Sequence, residues 1–162
     1  MQLNNYLGDI CYRLRCKAKH QTPVYINAYV NRGGKALTGK NWGDDINYWF
    51  LREIIEEPFR LLNESPIAFR CHAENYLVIG SILSFLTKPE SIVWGAGAIT
   101  NERALPCRPK EVLAVRGPLT RQFLMRQGIS CPEIYGDPAL LLNRFYPPPT
   151  HTHKYLIVKG II

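Results

Sequence analysis

EVLAVRGPLTRQFLMRQGISCPEIYGDPALLLN, residues 111–143, changes its hydrophobic period twice. Val112 to Val115 is a short apolar run rich in β-branched residues and reads as a buried strand. Pro118 stands early in the helical pattern that follows, where its missing N–H costs little, and Gly128 closes that helix. Ile134 and Tyr135 make another short strand. Gly136-Asp137-Pro138 is then a tight turn into ALLL, with Asp137 placed to cap it. A strand that hands over to a helix through Arg116-Gly117 is a unit of an open α/β sheet. Such sheets keep their ligands beyond the carboxyl ends of the strands.

Upstream of this stretch the same alternation repeats. Pro23 to Val30, PVYINAYV, reads as the first strand. Tyr76 to Ile79 is a second, ending at Gly80-Ser81, and Ser91 to Trp94 a third, ending in GAGAIT. Between the first two, Asp44 is predicted to cap a helix with Ile46, Trp49, Phe50, Ile54 and Ile55 on one face, stopped by Pro58. Residues 60–69 match neither period. At the N-terminus Leu3, Tyr6, Leu7, Ile10, Cys11 and Leu14 recur at helical spacing, and Arg13, Arg15, Lys17, Lys19 and His20 load the last turns with positive charge, which reads as a helix docked on the core by its apolar face or else as an amphipathic helix resting on an anionic membrane. The pattern predicts an α/β domain over residues 1–146, a Rossmann-like parallel sheet with helices on both faces. Pro147-Pro148-Pro149 opens a stiff linker over 147–154, and 155–162 reads as the start of a second, missing domain.

Composition narrows the function classes. A chain of 162 residues, 46% apolar, can bury one core without disulfides. No apolar run approaches the roughly 20 residues of a membrane span, and no signal-peptide pattern opens the chain. The five cysteines are odd in number and lack CxxC spacing, so they read as reduced thiols of a cytoplasmic protein. His72, His151 and His153 have no third partner near them, so no metal is expected. Thr100 stands where a third glycine would complete a dinucleotide fingerprint after Gly95 and Gly97, so no nucleotide cofactor is expected either. The net charge of +7 favours an anionic partner, a phosphate-bearing substrate or an acidic lipid surface. Its competing reading is a solvated basic face. Nucleic acid is not expected, because the aromatic residues lie in the strands and not on a basic platform.

Four elements could carry chemistry. In Asn41-Trp42-Gly43-Asp44-Asp45, glycine at a helix N-terminus would let an anion reach unpaired backbone N–H groups. The adjacent aspartates could donate a proton or hold a hydroxyl, or merely serve the helix as a cap and acidic neighbour. Gly80-Ser81 and Gly95-Ala96-Gly97 leave room at strand ends for a ligand, or for close packing alone. Arg116 offers a guanidinium fork that matches carboxylate and phosphate, or else a structural ion pair with Asp137 or a glutamate. Gly136-Asp137-Pro138 reads as a structural turn.

Taken in order, these elements resemble the polysaccharide pyruvyl transferase family. Its V-R-x-P-x-S/T step matches Val115, Arg116, Pro118 and Thr120, and its G-D-P-A-x-L turn matches Gly136, Asp137, Pro138, Ala139 and Leu141. Its N-x-G-D-acidic element matches Asn41, Gly43, Asp44 and Asp45. The resemblance runs from about Asn41 to Phe145 and implies the N-terminal half of a two-domain, GT-B-like transferase. Such an enzyme moves a pyruvyl group from phosphoenolpyruvate onto a pair of saccharide hydroxyls as a cyclic ketal, in exopolysaccharide and cell-envelope synthesis. The resemblance implies catalytic roles for Asp44 and Asp45, and substrate binding by Arg116, Asn41, Gly43, Ser81, Gly95 and Gly97. Gly136, Asp137 and Pro138 would shape the turn. Lipid-linked acceptors would place the protein at the inner face of a membrane, with residues 1–20 as its contact. The family's histidine and basic residues from the C-terminal half have no counterpart here, which implies a truncated enzyme, inactive alone. Two other readings stay open: a fragment of a GT-B-type nucleotide-sugar glycosyltransferase, and a non-catalytic anion- or saccharide-binding domain.

Overall fold

Short strands that bury side chains on both faces explain the architecture. The structure, a computed structural model, describes residues 2–30 and 42–147. In chain order the described strands and α-helices are α1 (Gln2–Ala18), β1 (Val24–Ile26), α2 (Trp42–Trp49), α3 (Leu51–Ile54), β2 (Phe59–Leu61), α4 (Pro66–Arg70), β3 (Asn75–Leu77), α5 (Leu83–Leu86), β4 (Ser91–Trp94), β5 (Glu111–Ala114), α6 (Pro118–Arg126) and α7 (Leu142–Phe145), with 3-10 turns at Leu62–Glu64 and Pro138–Leu141. The five strands form one sheet in the order β2-β1-β3-β4-β5, every pair parallel.

Successive residues of a strand point to opposite faces. On one face Val24, Ile26, Phe59, Leu61 and Tyr76 pack with Ile46, Phe50 and Leu51 of the α2–α3 region. On the other, Tyr25 meets Tyr12, Cys16 and Ala68 from α1 and α4, while Leu77 and Val93 meet Leu83, Phe123 and Leu124 from α5 and α6. Helices cover both faces, as the alternation of patterns predicts. The chain is an α/β domain of Rossmann-like build.

Several boundaries differ from the sequence reading. The first strand stops at Ile26: Asn27 N still donates to Tyr76 O at 2.9 Å, but beyond it the chain turns, with Val30 N donating back to Ala28 O at 3.0 Å. Arg60 and Leu61, at the start of the stretch that matches neither period, form with Phe59 the edge strand β2 beside β1. The expected strand at Ile134 and Tyr135 shrinks to a single bridge, Val115 to Tyr135. Pro132 before it and the Gly136–Pro138 turn after it leave no length for more. Asp44 does not cap its helix: α2 begins at Trp42, and Asp44 and Asp45 lie in its first turn. Asn41, most of the 147–154 linker and the strand expected from Tyr155 lie outside the described residues.

The docking face of α1 is also not the one its apolar spacing predicts. Asp9 is fully buried, and its carboxylate accepts from Ile67 N at 3.0 Å, Ala68 N at 3.1 Å and the Tyr25 hydroxyl at 3.3 Å. Ser65, at the N-cap of α4, makes no side-chain cap, so Asp9 satisfies the amides that α4 leaves open. The Tyr12 hydroxyl donates to Pro58 O at 2.7 Å and accepts from Val24 N at 2.8 Å. These polar anchors, with Cys16, turn Leu3, Leu7, Ile10 and Leu14 outward.

Candidate functional site at the switch point of the sheet

A parallel sheet ordered 2-1-3-4-5 opens a crevice where the connections leaving two neighbouring strands, the first and the third, diverge. Here β1 leads to β2 on one side and β3 to β4 on the other. The gap between their carboxyl ends holds a crevice of about 530 Å³. Tyr29 lines it from beyond β1, Ile79 to Ile82 from beyond β3, Gly43 and Asp44 from the start of α2, and Asp137 from the turn. A groove of about 720 Å³ lies next to it, lined by Arg116, Gly117, Pro118, Leu119 and Thr120, and Ile99 borders both.

Arg116 joins the two hollows. It follows β5, yet its Nη1 donates to Ser81 Oγ, beyond β3, at 2.7 Å. Nη2 donates to Ala98 O at 3.3 Å. To get there the side chain crosses the loop after β4, and Gly97 makes the crossing possible. A Cβ at Gly97 would stand 2.7 Å from Arg116 Nε and 2.8 Å from Cζ. The loop is held by backbone: Gly97 N donates to Gly80 O at 2.9 Å and Arg116 N donates to Ala96 O at 3.2 Å. None of the ion pairs among the described residues involves Arg116, so the structural pairing with Asp137 or a glutamate is not formed there. Two hydrogen bonds leave other N–H donors of the guanidinium fork for a ligand.

The groove beside Arg116 ends at the first turn of α6. Gly117, its N-cap, has no side chain to lend, and Pro118 sits at the start. A helix N-terminus of this kind presents unpaired N–H groups and partial positive charge. With the guanidinium alongside, the groove suits an anion with more than one oxygen.

The crevice side is acidic. Asp44 reaches the Gly80 backbone: an added Cβ at Gly80 would lie 3.4 Å from Asp44 Oδ1. Gly80 has φ +109°, a conformation that favours glycine. Asp44 and Arg116 thus flank the same Gly80-Ser81 step. Asp45, half-buried, does not line the crevice, so the structure separates the two aspartates that spacing alone treats alike.

Two sequence candidates have other work in the fold. Gly95 is buried and has φ +98°, and a Cβ there would meet Pro138 Cδ at 2.5 Å and Gly136 O at 3.0 Å. It makes room for the Gly136–Pro138 turn, not for a ligand. Asp137 caps that turn, accepting from Ala139 N at 3.0 Å, while also bordering the crevice.

Asn47 is the residue to which the sequence reading gives no role. It is fully buried, donates to Ile79 O at 3.0 Å and Asp44 O at 3.2 Å, and accepts from Ile79 N at 3.1 Å. It ties the first turn of α2 to the end of β3 and so holds Asp44 at the crevice. A buried-face asparagine three residues after Asp44, flanked by Ile46 and Phe50, was the signal available. Comparison with protein-family models, with curated proteins and with solved structures finds no match to this chain.

Proposed function

We propose that the chain binds phosphoenolpyruvate across the Arg116–Ser81 ridge and belongs to a pyruvyl transferase acting on saccharides. The observation that carries this reading is the reach of Arg116 over Gly97 to Ser81, beside the uncapped start of α6. Phosphoenolpyruvate bears a carboxylate and a phosphate. The guanidinium fork and the α6 N-terminus offer a place for each. The ordered motifs from Gly43 to Leu141 support the same assignment.

On this reading Asp44 faces the reacting carbon from the crevice side. The enol-phosphate double bond takes a proton at its methylene carbon, leaving an oxocarbenium carbon stabilised by the phosphate-bearing oxygen. One sugar hydroxyl adds to that carbon and loses its proton. A second hydroxyl then displaces inorganic phosphate and closes the cyclic ketal. Asp44 would supply the first proton or hold the attacking hydroxyl, and Arg116 would hold the anion as charge shifts onto departing phosphate. Asp137 and Tyr29 would border the sugar.

A thermal shift of the chain with phosphoenolpyruvate tests the donor site. At a ligand concentration a hundredfold above Kd, stabilisation is about 2.7 kcal/mol, which is roughly 5–10 °C for a domain of this size. The rise should be lost in Arg116→Ala. Stabilisation by nucleoside diphosphates but not by phosphoenolpyruvate would replace this reading with nucleotide-sugar transfer. Binding with no phosphate release in the presence of acceptor saccharides would leave a binding domain.

A further inference from the structure

Four large aliphatic side chains of α1 face solvent: Leu3 at 71%, Leu7 at 52%, Ile10 at 42% and Leu14 at 60% exposure. Their spacing of four, three and four residues puts them in one stripe. Burial of these residues does not explain the stripe, because α1 already docks through Asp9, Tyr12 and Cys16 on its opposite side. Charge follows the same division. The one acidic residue of the helix, Asp9, is buried, whereas Arg15, Lys17 and Lys19 are exposed.

The seam beside the stripe continues the pattern. Arg70 lies 5.6 Å over the Tyr6 ring, and Phe69 is half exposed with Lys88 4.2 Å over its ring. Tyr6, Phe69 and Arg70 border a hollow of about 450 Å³ between α1 and α4. An exposed apolar stripe, an aromatic and cationic margin and no exposed carboxylate on the helix form a surface of definite chemistry. Helices that lie in the plane of a bilayer interface present this arrangement.

We infer that α1, with the Phe69–Arg70 margin, lays the domain on an anionic phospholipid bilayer. Charge decides against a second copy of the chain. Two such faces would bring the cations of each helix near the other with no exposed carboxylate of α1 to answer them. An anionic bilayer supplies an apolar layer for the stripe and negative charge for Arg15, Lys17, Lys19 and Lys88. The inference does not depend on what the crevice binds.

Vesicle flotation of the full chain tests it, with phosphatidylcholine alone and with vesicles enriched in phosphatidylglycerol. The chain should float with the anionic vesicles only, and less at high salt. Leu7→Glu/Leu14→Glu should lower the partition by at least about tenfold. Arg15→Glu/Lys17→Glu should lower it by roughly tenfold as well. Both variants replace exposed residues and should melt with the parent. Equal flotation of parent and variants would overturn the inference, as would equal binding to neutral vesicles. A large drop in melting temperature for Leu7→Glu/Leu14→Glu would mean that the stripe packs within the chain itself. A dimer in solution that the same variant dissociates would assign the face to a second copy. Either result would also overturn it.

Discussion

Gly95 and Gly97 stand two residues apart in one loop, and the structure gives them opposite jobs. Gly95→Ala should destabilise the fold. At φ +98° a side chain is strained by at least about 1–2 kcal/mol, and the new Cβ overlaps Pro138 Cδ and Gly136 O, atoms of a braced turn. Overpacking of that kind adds roughly 1–3 kcal/mol. The sum, about 2–5 kcal/mol, corresponds to roughly 4–20 °C in melting temperature. The three atoms nearest a Cβ at Gly97 all belong to the Arg116 guanidinium, at 2.7–2.9 Å, and that end can swing away. The loss is then two solvent-exposed hydrogen bonds, about 1 kcal/mol in all. Urea unfolding of the single variants and of each combined with Arg116→Ala decides the matter. In the Arg116→Ala background the cost of Gly97→Ala should vanish, because the group it displaces is gone, while the cost of Gly95→Ala should stay. If Gly97→Ala costs the same with and without Arg116, the side chain does not cross there, and the proposed donor site loses its geometry.

Asn47→Ala removes both partners of a buried backbone pair at Ile79, so it should cost about 2–4 kcal/mol in urea unfolding and loosen the tie between the first turn of α2 and β3; a cost below about 0.5 kcal/mol would contradict the clamp. Stability should fall as pH rises above the ordinary values of 9.0 for a thiol and 10.0 for a tyrosine. Burial raises Cys131, Tyr12, Tyr25 and Tyr76, so the folded state keeps protons that the unfolded chain gives up. A melting temperature that is flat from pH 8 to beyond pH 10 would count against this, and tyrosinate absorbance would show which rings titrate before unfolding. Alkylation followed by mass spectrometry should label Cys11 and Cys71, which are exposed, well before Cys16 and Cys131, which are buried; early labelling of Cys131 would contradict its place against Phe123 and Leu124.

The sequence by itself determined the class of fold and the order of its parts. Strand and helix periods alternate because each strand must bury side chains on both sheet faces and each helix only a stripe, so the pattern is local. Ser91 to Trp94 and the start of α6 at Pro118 are where pattern placed them, and Asp137 caps its turn. The edge strand at Phe59–Leu61 escaped because three residues beside Pro58 hold no full period; only pairing with β1 makes them a strand. The docking face of α1 escaped for a related reason. Apolar spacing records what would favour burial, but the open amides of α4 required an acceptor, and Asp9 supplied it. The candidate site was half readable. Arg116, Ser81, Gly97 and Asp44 could be named one by one from strand ends and a helix start. That Arg116 passes over Gly97 to meet Ser81, that Asp44 and not Asp45 lines the crevice, and that Gly95 serves the turn all depend on strand order. Residues 35 positions apart, Ser81 and Arg116, become neighbours only when the sheet sets β3, β4 and β5 side by side.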